Sequence, residues 1–200
     1  MDVLVTGATG FIGRRLVPAL GAAGHDVTAL VRDAAGYDAP PDVHVVEGDL
    51  LDPGSFGAAL DVDAAYYLVH SMRAGGDFEA RDRRAARNFV DAASTAGVER
   101  VVYLGGLGED RDNLSPHLRS PREVERVLAS GSYALTTLRA GIIIGSGSAS
   151  FAPVRQLASR LPVMVTPRWV ETKCQPISLY DLVPYLLGVR ARPGPARGTY

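Results

Sequence analysis

A short β-branched run at residues 1–6, MDVLVT, passes directly into Gly7-Ala8-Thr9-Gly10-Phe11-Ile12-Gly13. An amphipathic segment follows at 14–23, then Gly24 and a second apolar run at 27–31, VTALV. Strand, glycine turn, helix and strand together make one βαβ unit with an anion-binding turn at its first corner. Each glycine has a physical reason. Gly7 lets the chain leave the strand with positive φ. Gly10 lets backbone approach a pyrophosphate, and Gly13 lets the helix pack close on the sheet. The unpaired N–H groups and positive dipole end of that helix then face the phosphates.

The alternation continues. Strands are expected at 43–47, 64–69, 98–104 and 133–138, with helices at 52–60, 77–96 and 115–130 between them. This pattern gives a Rossmann-type, doubly wound parallel α/β sheet with helices on both faces. A dinucleotide-binding domain is expected over 1–145, with a partial substrate-side lobe over 146–200. A ligand belongs across the carboxyl ends of the strands, beside the glycine turn.

Composition narrows the partners. Net charge is −1, so no basic excess points to nucleic acid. With one cysteine, Cys174, an intrachain disulfide and a cysteine zinc site are excluded, and no metal site is expected. Met1 leads straight into a core strand, and no apolar run nears the roughly 20 residues of a membrane span. A cytoplasmic protein with no membrane partner is the expectation.

Cofactor choice falls on the end of the second strand, about 20 residues past the turn. An acidic residue there binds the ribose of NAD, whereas an arginine pairs with the 2′-phosphate of NADP. The chain has Arg32 followed by Asp33, with Arg14 as a second cation after Gly13. NADP is preferred over NAD, with Asp33 as the competing ribose ligand.

The spacing Thr6-Gly-x-x-Gly-x-x-Gly13 resembles extended and atypical members of the short-chain dehydrogenase/reductase superfamily, among them nucleotide-sugar epimerases, isoflavone-reductase-like enzymes and NmrA-like redox sensors. The resemblance covers nearly the whole chain and implies a cofactor contact for Gly7, Thr9, Gly10, Phe11, Ile12 and Gly13. It places Arg32 where isoflavone-reductase-like proteins carry an arginine. It sets Asp49 and Leu50 of Gly48-Asp-Leu against the adenine, although Asp49 also reads as a helix cap or turn residue. It aligns Val69-His70-Ser71 with a segment beside the nicotinamide ribose, His70 reading equally as a structural histidine. Asn88 matches the helix motif of the family, and 139–145 and 177–183 match its later motifs.

The helix at 77–96 carries Phe78, Ala85, Phe89 and Ala93 on one face. Arg81, Arg83, Arg84 and Arg87 are interrupted by Glu79, Asp82 and Asp91, which reads as a salt-bridged solvated face. In extended relatives this helix helps form a dimer, so the resemblance implies a homodimer through it.

The chemistry side departs from the family. Relatives carry serine or threonine at the end of the fifth strand and Tyr-x-x-x-Lys on the next helix, where the lysine tunes the tyrosine for proton transfer. This chain has Gly105-Gly106, and the tyrosine and lysine places fall on His117 and Pro121, with Arg122 adjacent. His117 is a candidate general acid, an unperturbed imidazole titrating near neutrality. Equally, Ser115-Pro116 opens the helix and leaves His117 as an exposed first-turn residue. Further on, a helix is expected at 151–160 and a strand at 162–166. Trp169 stands as a lid or core residue, and Cys174 as an inert thiol. Relatives continue past residue 200, so the chain is expected to be the front part of a longer protein.

Three functions remain open. They are an NAD(P)-dependent oxidoreductase or epimerase-like enzyme acting on an unknown small molecule, a nicotinamide-nucleotide sensor without turnover, and an assembly protein with a vestigial site.

Overall fold

The computed structural model describes residues 1–71, 77–107, 116–148, 175–190 and 198–199 and the single positions 151, 156 and 159, without the side chains of 116–118 and 190. Its strands are β1 (Asp2–Thr6), β2 (Asp26–Val31), β3 (Val43–Glu47), β4 (Ala64–Tyr67), β5 (Arg100–Gly106), β6 (Ala134–Ala140), β7 (Ile143–Ile144), β8 (Ile177–Ser178) and β9 (Gly198–Thr199). Its helices are α1 (Gly13–Ala22), α2 (Phe78–Ala96), α3 (Pro116–Leu128) and α4 (Leu179–Arg190). Seven strands form one parallel sheet in the order β3-β2-β1-β4-β5-β6-β9, and β7 pairs with β8. The winding reverses between β1 and β4, which fixes the carboxyl edge of that pair as the ligand crevice.

Alternate residues of each strand enter opposite cores, as the period of two requires. Val3, Val5, Ala29, Val31 and Tyr66 pack with Leu16 and Leu20 of α1 and Leu182 and Leu186 of α4. Leu4, Leu30, Ala65, Tyr67 and Tyr103 face the other way, onto Phe89 and Ala93 of α2 and Val124 and Leu128 of α3. The Tyr66 hydroxyl, buried in the first core, donates to the Leu186 carbonyl at 2.9 Å and ties α4 to the sheet.

The differences from expectation have local causes. β4 stops at Tyr67 because the Leu68 N–H leaves the ladder for the Thr6 hydroxyl, at 3.2 Å. Residues 52–60 form turns and one 3-10 turn (Gly57–Ala59) instead of a helix. There the Ser55 hydroxyl accepts the Asp49 N–H at 2.9 Å and donates to the Asp52 carbonyl at 2.8 Å. That side chain gives the backbone an alternative to helical pairing. The expected turn at 73–76, the strand at 162–166, Trp169 and Cys174 lie outside the described residues, as does most of the helix expected at 151–160. Among the described residues no helix is long and apolar enough to cross a membrane.

Candidate cofactor site

The glycine turn is built from backbone contacts. Gly7 has φ of 72°, and a Cβ there would stand 2.9 Å from the Leu68 carbonyl oxygen of β4's exit. A Cβ on Gly13 would fall against the Gly7 carbonyl and lie 2.7 Å from Ala8 Cα. Only glycines let β1, the turn and α1 come this close. The Gly10 N–H donates to the Gly7 carbonyl at 2.9 Å, and the Arg14 N–H to the Gly10 carbonyl at 3.1 Å. Ile12 caps α1 without a side-chain hydrogen bond, and the Arg14 and Arg15 N–H groups are taken by the Gly10 and Ile12 carbonyls, so what the helix offers at the turn is the positive end of its dipole. A cradle that a Cβ would fill, at a helix N-terminus, fits a dinucleotide pyrophosphate.

Neighbouring side chains brace the turn. Thr6 is fully buried, and its hydroxyl donates to the Tyr66 carbonyl at 3.1 Å while accepting from Leu68 N–H. Sequence reasoning gave Thr6 no role. Its signal was a buried hydroxyl in an otherwise apolar strand, which requires a partner. The Thr9 carbonyl accepts from Arg14 Nε at 2.9 Å. Phe11 is half-buried, and its ring lies 2.9 Å from where a Cβ of Gly145 would be. The loop after β7 thus reaches the turn.

At the end of β2, Arg32 is exposed. Asp33 is engaged elsewhere, its Oδ1 accepting the Gly36 N–H at 3.1 Å. Asp49 is half-buried, and its Oδ1 accepts the Leu51 N–H at 2.9 Å, the turn role expected of it. Leu50 is buried, and its carbonyl accepts from Asn88 Nδ2 of α2 at 2.7 Å. Asn88 therefore pins the segment on which Asp49 sits.

Beyond β4, Val69 packs into the second core, and His70 and Ser71 meet a residue that had been read differently. Asp82 does not lie on a solvated face. It is 1% exposed, and its carboxylate takes His70 Nδ1 at 2.5 Å, the Ser71 N–H at 2.7 Å and the Ser120 hydroxyl of α3 at 3.0 Å. Burial pushes the Asp82 carboxyl up, but the hydrogen bonds from His70 and Ser71 outweigh it and hold the group below the ordinary carboxylate range. The signal was available, since Asp82 lies on the same helical stripe as Phe78 and Ala85. The true ion pairs of α2 reach across to α3, Glu79 to Arg119 at 3.0 Å and Arg83 to Glu123 at 3.0 Å.

At the end of β5, Gly105 pairs with Arg139, whose guanidinium forks onto Glu125 at 2.8 and 3.1 Å. Pro121 Cγ lies 3.9 Å from where a Cβ of Gly106 would be. Tyr103 does not replace the missing tyrosine. Its hydroxyl donates to the Pro121 carbonyl at 3.0 Å, and burial, then the charges of Glu125 and Asp82, push it far above the usual phenol range. His117 lies in the first turn of α3, and its side chain is outside the described residues.

Comparison with known proteins agrees with this geometry. A family model described as NAD(P)H-binding matches residues 7–147. A 3-diazoavenalumate denitrifying reductase from Streptomyces is 34% identical over 197 residues, covering 82% of this chain and 64% of the relative. A ceramide reductase from Caulobacter vibrioides is 32% identical over 169 residues, covering 81% of this chain and 52% of the relative. The chain thus spans between half and two-thirds of the length of these two relatives. Among solved structures, a UDP-glucose 4-epimerase from Thermus thermophilus in complex with NAD superposes with a TM-score of 0.76 at 21% identity, over 100% of this chain and 75% of that one.

Proposed function

The chain belongs to the NAD(P)H-binding family of Rossmann-fold oxidoreductases and epimerase-like proteins, and from that premise we propose that it is an NADP(H)-dependent reductase of a small organic substrate. The observation that carries the choice of cofactor is the end of β2. Asp33 turns one carboxylate oxygen back to the Gly36 N–H, while the exposed Arg32 beside it makes the cation available there. A planar guanidinium at that position suits a 2′-phosphate, while a carboxylate would repel it.

In this reading the N–H groups of the 7–13 turn bind the pyrophosphate and Arg32 binds the 2′-phosphate. Asp49 and Leu50 line the adenine side, and Val69 lines the nicotinamide side. The bound nicotinamide supplies or accepts a hydride. The reductase assignment follows the names of the similar proteins, which include reductases of ceramide and of 2-alkyl-3-oxoalkanoates. Those names favour a carbonyl carried on an apolar body.

A second reading, a nucleotide sensor that binds without turnover, is favoured by Gly105, Gly106 and Pro121 where the superfamily resemblance expects hydroxyls and a lysine. The two separate in one assay. NADPH consumption is followed at its nicotinamide absorbance with a long-chain 3-oxo acid and a steroid ketone as probes. Turnover of either probe supports the reductase. Saturable NADPH binding with no consumption on any probe supports the sensor.

A further inference from the structure

Among the described residues, one ionised group is sealed beneath the carboxyl edge of the sheet. Asp82 sits beside the aromatic cluster of Tyr67, Phe89 and Tyr103, where the core itself requires no charge. Burying a carboxylate is expensive unless every lone pair is answered. Here the answers come from two other elements, His70 and Ser71 after β4 and Ser120 on α3, all meeting a carboxylate on α2.

The place is equally specific. β4 neighbours β1 at the reversal of winding, and the Leu68 carbonyl touches the Gly7 turn just ahead of His70. His70 therefore stands in the ligand crevice. Its side chain is 27% exposed, and its ring packs edge-on against Phe78 with centroids 6.4 Å apart. An ionised carboxylate can only accept, so Nδ1 carries a proton, and in the neutral ring Nε2 then keeps the lone pair.

We propose that His70, oriented by Asp82, is the proton-transferring residue of this site and stands in for the absent tyrosine and lysine. The proposal rests on the reductase reading. In the oxidative direction Nε2 accepts the substrate's hydroxyl proton as the carbinol C–H bond gives its hydride to the oxidised nicotinamide and the C=O bond forms. In the reductive direction the same nitrogen returns that proton to the carbonyl oxygen as the carbon takes the hydride. Asp82 remains ionised and acts as a positioning residue.

The test pairs a spectroscopic readout with kinetics on the whole chain. Nitrogen-15 spectra of histidine-labelled protein should show His70 as the Nδ1–H tautomer, with its Nε2 resonance moved by NADP⁺. Asp82→Asn should lose the single tautomer. His70→Asn keeps a donor near the Nδ1 position but removes Nε2. It should bind NADPH within about threefold of wild type and lower kcat on the better ketone probe by about 100-fold. An Nε2–H tautomer, or an Nε2 resonance indifferent to NADP⁺, overturns the proposal. So does undiminished kcat in His70→Asn, which leaves the reductase reading standing. A wild type that turns over no probe overturns the reductase reading and this step with it.

Discussion

The two halves of the crevice are built by different means. On the β1–β2 side the ligand surface is backbone, and glycines at 7 and 13 fix its shape through contacts too close for any Cβ. On the β4–β5 side the surface depends on side chains, held by Asp82 beneath them. A backbone surface can be altered only by adding atoms, and the effect is steric. A surface held by one buried charge can be altered by changing that charge, and the effect is electrostatic. The first half carries the glycine spacing at 7, 10 and 13, whereas the second carries Gly105 and Gly106 at the end of β5 and rests on the Asp82 node.

The sharpest way to break the comparison is Gly13→Val. Its added atoms collide with the Gly7 carbonyl and Ala8 Cα. Overpacking of this kind costs about 1–3 kcal/mol or more in stability. It also displaces the turn, so saturable NADPH binding should vanish in a fluorescence titration. A variant that binds like wild type would mean that the turn is not the phosphate cradle.

Asp82→Asn probes the other half. Removing the charge leaves the buried donors of Ser71, Ser120 and His70 poorly answered and costs about 1–3 kcal/mol, measurable by urea unfolding at neutral pH. The sign with pH is fixed by the lowered folded-state value of Asp82. Its stabilisation is complete above the ordinary carboxylate range and is lost as pH falls through the depressed value. The gap between wild type and Asp82→Asn should therefore narrow in acid below about pH 4. A gap that stays constant or widens there would contradict the charged node.

The smallest expected effect is that of Gly106→Ser. The nearest atom to the new Cβ is Pro121 Cγ at 3.9 Å, ordinary contact. Stability should change by less than about 0.5 kcal/mol, with NADPH affinity unaltered. A large loss in either would show that Gly106 is required by the backbone.

How much of this was legible follows from the same contrast. The glycine turn, the parallel sheet and the place of Arg32 at the end of β2 were readable because local patterns encode them, namely glycine spacing, period-two apolar runs and distance along the chain. Asp52-Pro53 read as a helix start, but the Ser55 hydroxyl captured the backbone locally. Asp82 was misread because charge in a run of arginines reads as solvent-facing, although the stripe through Phe78, Ala85 and Phe89 carried it inward. Ser120 could not be read at all, since its role exists only once α3 lies across α2.

The most direct test is calorimetric titration of wild type and Arg32→Ala with NADPH and with NADH. The proposed NADP(H) reading predicts that NADPH binds more tightly than NADH to wild type. It predicts that Arg32→Ala weakens NADPH by about 10–100-fold and leaves NADH unchanged. Equal binding of both cofactors, indifferent to the substitution, would contradict the 2′-phosphate assignment on which the NADP(H)-dependent reading rests.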